Sequence, residues 1–343
     1  MISVAVLGGG FMGATHAAAY AAMSDRVAVR RVFSRSAEKA ERVAASVAAH
    51  PTTDLVSVLD DPAVDAVDIC LPTDVHRDVA ETAMRAGKHV LVEKPIALSL
   101  EDADAIARTA EETGQLLMVG LVLRFWPEYV ELARRVQAGD VGTPAVVSAS
   151  RLSPAADWND WMTDPRRSGG VAVDLLVHDF DQAVLLLGTP HRVFATADAS
   201  RQHVMATVEC EDGIASVEGS MGMPGSYPFS SHLRVSGNEG VAEYCFQVGI
   251  TDGEGNLGQA ADTAPGLRMF PAGGKPVGVD VTPRDPFASE IDYFVDCVAR
   301  GRSPESGTAQ QARAALAVAL AANRSIANGR PEEVSQPTNR PWQ

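Results

Sequence analysis

A lysine at the end of a short apolar run, Val90-Leu91-Val92-Glu93-Lys94-Pro95, can offer hydrogen bonds and positive charge to an oxygen that becomes negative during a reaction. Open α/β sheets place ligand chemistry at the C-terminal ends of their strands, and the following proline biases Lys94 away from helical dihedrals. A second constellation stands about eighty residues further on, where Ser168-Gly169-Gly170 opens a helical pattern running from Val171 to Leu187. Asp174 and His178 are four apart, so one continuous helix puts both on the same face. A carboxylate one turn from an imidazole can orient it, select its tautomer and support its basicity near neutral pH. Lys94, Asp174 and His178 together supply a cation, an orienting acid and a base, the set that removing a hydroxyl proton requires. Asp179 and Asp181 fall off that face and read as structural.

Upstream of Lys94 the chain reads as a nucleotide holder. Ile2–Leu7 is an apolar run of the kind buried on both faces in a parallel sheet. Gly8-Gly9-Gly10-Phe11-Met12-Gly13 follows, then an Ala-rich helical stretch from Ala14 to about Met23, which is G-x-G-x-x-G between a strand and a helix. Gly8 allows the tight turn, Gly10 lets the backbone approach a pyrophosphate, and Gly13 lets helix and strand pack closely. Phe11 and Met12 complete the turn, with phosphates expected on the helix N-terminus. The next strand, Val27–Phe33, ends in Ser34-Arg35-Ser36. Dinucleotide folds that take NAD usually carry an acid here; a serine and an arginine suit a 2′-phosphate instead, so the reading is NADP or NAD with NADP favoured. Asp65–Leu71 forms a further strand, and Leu71, Pro72 and Thr73 open a loop over the cofactor before a helix from Asp78 to Ala86. His76 reads either as a cofactor contact or as a structural helix-start residue; with Glu93 and Lys94 it completes the cofactor-facing set.

Bulk properties narrow the classes. The 343 residues carry a net charge of −15, which argues against nucleic acid or an anionic membrane as the main partner. Cys70, Cys210, Cys245 and Cys297 are isolated, so free thiols are expected and no metal-ligand spacing is present. Neither a secretory leader nor a run of membrane-spanning length is visible, and a cytoplasmic location is the expectation.

Gly8–Gly13, Asp65-Ala66-Val67 before Pro72-Thr73, and Ala86-Gly87-Lys88-His89-Val90-Leu91-Val92-Glu93-Lys94-Pro95 together resemble the Gfo/Idh/MocA oxidoreductases. Gly120-Leu121-Val122-Leu123-Arg124-Phe125 is similar to the family's passage into its second domain. The resemblance implies an α/β protein with an N-terminal Rossmann dinucleotide-binding domain over 1–121. A C-terminal α+β domain over 122–343 is expected to carry a large, mostly antiparallel open sheet. Period-two runs at Val193–Ala199, His203–Cys210, Ile214–Met221, Leu233–Ser236 and Val241–Phe246, with a turn at Ser236–Gly240, fit that sheet. In the family, one face of the sheet makes subunit contacts, which implies a homodimer or homotetramer, and the last helices return to the first domain. The Glu-Lys-Pro lysine lies beside the nicotinamide there, the following proline peptide can be cis, and Asp174-x-x-x-His178 resembles the inositol dehydrogenase pair.

The implied activity is oxidation of a secondary alcohol of a cyclitol or sugar by hydride transfer, with His178 as base and Lys94 on the alkoxide. Arg124, Trp158 and Trp161 are candidates for holding a polyol or sugar, though the tryptophans could equally fill an interface. Two alternatives exist on this fold, an NAD-dependent glycosidase and a non-catalytic sugar-sensing regulator; retention of Lys94, Asp174 and His178 speaks against the regulator. The segment 251–278 is Gly-rich and resists placement.

Overall fold

The structure, a computed structural model, describes residues 1–155, 160–250, 257–260 and 266–336. It contains two compact units, Met1–Trp126 with Arg284–Arg313, and Pro127–Pro283 with Ala314–Gln343.

The first unit runs β1 (Ile2–Leu7), α1 (Phe11–Ala21), β2 (Val27–Phe33), α2 (Ala37–Ser46), β3 (His50–Thr52), α3 (Leu55–Leu59), β4 (Ala66–Ile69), α4 (His76–Arg85), β5 (His89–Glu93), α5 (Leu100–Thr113) and β6 (Leu117–Gly120). The six strands are parallel in the order β3-β2-β1-β4-β5-β6. That order reverses between β1 and β4, so a crevice opens at the carboxyl ends of those two strands. The central strands are buried on both faces, which is why they read as apolar runs rather than alternating ones. Helix starts follow their caps. Ser36 accepts from Lys39 N at 3.3 Å ahead of α2, and Ser99 accepts from Asp102 N at 3.0 Å ahead of α5. Helix α1 starts on a glycine N-cap, Gly10, with no side-chain cap and no acid in its first turn.

The second unit begins with α6 (Pro127–Gln137), β7 (Pro144–Pro154), α7 (Asp160–Thr163), α8 (Pro165–Ser168), α9 (Gly170–Asp174) and α10 (Val177–Leu187). Strands β8 (Pro190–Ala197), β9 (His203–Cys210), β10 (Gly213–Met223), β11 (Phe229–Gly237), β12 (Gly240–Ile250), β13 (Leu257–Ala260), β14 (Gly266–Pro271) and β15 (Val277–Gly278) follow. Helices α11 (Pro286–Arg300) and α12 (Ala309–Asn328) and a short β16 (Glu332–Glu333) end the chain. The sheet order is β15-β14-β12-β11-β7-β10-β9-β8-β16, with β13 beside β12. Among the described residues every pairing is antiparallel except β7 with β10. Helices α6 and α10 pack on it, and Val147, Ala149, Val193, Val208, Val217 and Val235 are buried. On the alternate positions Phe194, Met205 and Ile214 stay 43 to 47% exposed, set among polar partners such as Thr207, Glu209 and Glu218. Helix α11 belongs to the first unit, where Ile291, Phe294 and Val295 join the core made by Val4, Val6, Ala17 and Tyr20.

Two features differ from expectation. The helix expected over 171–187 is divided at Leu175-Leu176, where Leu176 N donates to the Val171 carbonyl five residues back at 2.9 Å. Leu176 seats its side chain on Gly219 of β10, where an added Cβ would stand 2.4 Å from Leu176 Cδ2. The Gly-rich segment 251–278 supplies β13, β14 and β15 among its described residues, because Leu267 and Met269 alternate inward between Arg268 and Phe270. Among the described residues, no helix is long and apolar enough to cross a membrane.

Candidate active site

The glycine turn shows why each glycine stands where it does. Gly8 has φ +146°, and a Cβ there would lie 2.3 Å from the Cys70 carbonyl oxygen. A Cβ on Gly13 would lie 1.9 Å from the Gly8 carbonyl oxygen. These two close the turn against β4 and α1. Gly10 differs: a Cβ there would meet nothing within 4 Å, so the space above it is open. That open approach, over the uncapped and acid-free start of α1, fits an anionic pyrophosphate bound by orphan backbone N–H groups.

At the end of β2, Ser34 is buried and its Oγ accepts from Ser36 N at 3.3 Å, while Arg35 is exposed. Arg42 of α2 donates to the Gly9 carbonyl at 3.4 Å, and Lys39 backs the same glycine. Nothing in the sequence marked Arg42 and Lys39 as neighbours of this turn; a helix-face cation carries no motif of its own.

The loops leaving β4 and β5 are tied together. His76 is buried, with Nδ1 3.0 Å from the Pro95 carbonyl oxygen and Nε2 2.8 Å from that of Leu71. A neutral imidazole can donate to only one of them. Burial lowers the His76 pKa against the pull of those carbonyls. Thr73 is buried beside it, with Leu71 and Pro72 half-buried. The Lys94–Pro95 peptide is cis, and Lys94 is half-buried. Glu93 turns inward: its Oε2 accepts from Lys94 N at 3.0 Å and its Oε1 lies 3.1 Å from His16 Nε2. His16 Nδ1 meets Asp68 Oδ2 at 2.8 Å, both groups wholly buried. Burial would lower the imidazole pKa, but Asp68 and Cys70 together outweigh it and His16 sits well above its ordinary 6.5. Sequence reasoning missed this cluster. Its one signal was Asp68, a charged residue in the middle of a strand otherwise buried and apolar.

Arg124 lies half-buried in a 3₁₀ turn, Val122–Arg124, just after β6. In the second unit, Gly169 and Gly170 have φ +80° and +72°, and Asn323 donates to the Gly169 carbonyl at 3.0 Å, holding the entry to α9. Asp174 is the buried last residue of α9 and His178 the half-buried second residue of α10, so the break separates them onto two helices. Asp179, next to His178, makes a buried two-point ion pair with Arg151 of β7 at 2.8 and 3.1 Å, which anchors the start of α10 to the sheet. Trp161 is half-buried on α7; Trp158 lies outside the described residues.

A doubly wound parallel sheet with this glycine turn, followed by a large open sheet, defines a two-unit Rossmann oxidoreductase. Residues 2–121 match the family described as "Oxidoreductase family, NAD-binding Rossmann fold", and residues 129–243 match the "GFO/IDH/MocA C-terminal domain". The chain belongs to the Gfo/Idh/MocA family and is an NAD(P)-dependent oxidoreductase. It is 30% identical over 342 residues to inositol 2-dehydrogenase of Rhizobium meliloti, covering 95% of this chain and 97% of that one. It is 32% identical over 301 residues to UDP-N-acetylglucosamine 3-dehydrogenase of Acidithiobacillus ferrooxidans, covering 87% and 88%. A solved structure of the latter enzyme superimposes with a TM-score of 0.78 at 30% identity, covering 95% of this chain and 97% of that one.

Proposed function

We propose that the protein oxidises a secondary alcohol of a cyclitol or sugar to the ketone or lactone. The observation that carries this reading is the placement of Lys94, which leaves β5 on the same carboxyl edge of the sheet as the Gly8–Gly13 turn, two strands away. The resemblance of the chain to inositol and UDP-sugar dehydrogenases supports the substrate class. The nicotinamide dinucleotide, when bound, supplies the hydride acceptor. The chain's own residues manage the proton and the charge. His178 accepts the hydroxyl proton, its imidazole suited to transfer near neutral pH. Lys94 donates to the same oxygen and stabilises the developing alkoxide. Asp174 orients His178 or binds a neighbouring hydroxyl, and Arg124, Trp158 and Trp161 contact the ring.

The cofactor is NADP in preference to NAD, supported by Ser34 and Arg35 at the end of β2 and by Arg42 beside the turn. The test is a panel of inositols, aldoses and anhydrosugars, each with NAD and NADP, followed at the reduced-nicotinamide absorbance band. Stoichiometric reduction with one substrate class supports the reading; glycoside cleavage without net reduction would sink it. In the same assay Arg35→Ala raises KM for NADP about tenfold or more and hardly moves KM for NAD. Equal effects on the two would defeat the 2′-phosphate assignment.

The exposed apolar side chains Phe194, Met205 and Ile214 on one sheet face support a homodimer or homotetramer built through that face. Phe194→Glu is expected to lower the particle mass measured by light scattering toward one chain. An unchanged mass would place the interface elsewhere.

A further inference from the structure

Polar side chains from four separate elements meet in the interior of the first unit. His16 of α1 links Asp68 of β4 to Glu93 of β5, and the Cys70 thiol lies 3.5 Å from His16 and 3.4 Å from Asp68. Glu290 of α11 completes the group. One oxygen of Glu290, one of Glu93 and a ring nitrogen of His16 all lie within 4.8 Å of one another. Glu290 is wholly buried, and neither of its carboxyl oxygens meets a hydrogen-bond donor. Phe287, one turn earlier on α11, packs its ring 5.9 Å from that of His16.

A carboxylate without protein donors, wholly buried and beside a second carboxylate, is disfavoured in its charged form. The imidazole compensates it only in part: His16 Nδ1 is held by Asp68, His16 Nε2 lies 3.1 Å from Glu93 Oε1 without a hydrogen bond, and burial together with Glu93 outweighs the pull of the ring on Glu290. The groups facing Glu290 are His16 and Tyr20 from α1, Asp68 from β4 and Glu93 from β5; Arg124 stands on the turn packed against α11. Burial first, then the charge of Glu93, holds the Glu290 carboxyl well above its ordinary 4.5.

We propose that Glu290 is a positioning residue that enters the fold as a neutral acid, leaving Glu93 to hold the Lys94 backbone N–H. An ionised Glu290 would repel Glu93 and loosen its grip on both His16 and the Lys94 main chain. The proposal rests on the assignment of Lys94 to alkoxide stabilisation, but its test has an arm independent of activity.

Glu290→Gln keeps the shape and is uncharged at every pH; Glu290→Ala removes the group. The Gln variant is expected to keep kcat and both KM values within about twofold of wild type, as a neutral isostere should. The Ala variant is expected to lose about tenfold in kcat with KM for the cofactor unchanged. The second arm is thermal unfolding against pH. A carboxyl raised in the folded state keeps its proton there and releases it when unfolded, so wild type loses stability as pH rises above 4.5, up to the folded-state pKa. The Gln variant lacks that slope, and the contribution of His16 is common to both proteins. The melting temperature of Glu290→Gln minus that of wild type therefore grows between about pH 5 and 8.

A flat difference overturns the neutral acid whatever Lys94 does, and it decides the matter even if Glu290→Ala fails to fold. A Gln variant as slow as the Ala variant also overturns the proposal. So does elemental analysis that finds a stoichiometric metal in wild type and none in Glu290→Gln, since Glu290 would then be an ionised ligand. Wild-type kinetics in both variants would overturn the positioning role.

Discussion

Lys94→Ala is expected to lower kcat by about two to three orders of magnitude, the range for removing one donor to a developing oxyanion, or about 3 to 4 kcal/mol. Cofactor affinity, read by quenching of intrinsic fluorescence on titration, should change little. The dinucleotide is assigned to the Gly8–Gly13 turn and the end of β2, and neither depends on the lysine side chain. The backbone at this position is kept by Glu93, whose Oε2 accepts from Lys94 N, so removing the side chain leaves the main-chain hold intact. The variant thus separates chemistry from folding. Wild-type turnover would show that another group stabilises the alkoxide and that Lys94 is a bystander at a strand end.

The second large effect divides two glycines three residues apart. Gly13→Ala would force a methyl to 1.9 Å from the Gly8 carbonyl oxygen, and the backbone must give way. Overpacking costs about 1–3 kcal/mol and more against backbone, so the melting temperature should fall by roughly 5–10 °C. Gly10→Ala meets nothing within 4 Å, so the ligand-free protein should melt within about 1 °C of wild type. Its cofactor dissociation constant should nevertheless rise about tenfold or more, because the methyl occupies the approach to the pyrophosphate. Equal losses of stability in the two variants, or wild-type affinity in Gly10→Ala, would mean that the dinucleotide does not run over this turn.

Features governed by neighbours in sequence were the legible ones. The glycine turn, the strand ends at Ser34, Leu71 and Glu93, and the capped helices α2 and α5 all follow from short-range rules of turn, cap and period. The period-two runs from Val193 onward marked the second sheet; His203–Cys210 coincides with β9, Val193–Ala199 overruns the end of β8, and the other three fall short of β10, β11 and β12. The division between α9 and α10 was not legible, since only the contact of Leu176 with Gly219 makes it profitable to leave the helix. Neither were β14 and β15, whose alternation covers too few residues to stand out among glycines. The cluster of His16, Asp68, Glu93 and Glu290 joins four elements that lie up to 274 residues apart in the chain. No spacing rule reaches that far; only Asp68, out of place in an apolar strand, hinted at it.

Helix α11 gives the first unit an unusual history. A chain emerging from the ribosome has all six strands of the parallel sheet once Gly120 is made. The residues that finish its interior, Glu290, Ile291, Phe294 and Val295, come only after the strands β7 to β15 have been synthesised. Domains generally mature as they emerge, N-terminal first. Here the nucleotide-binding unit starts first but is sealed late, around an insertion of a whole second sheet. A nascent chain that stops at Pro283 would carry the glycine turn and Lys94 over an interior still lacking its last helix.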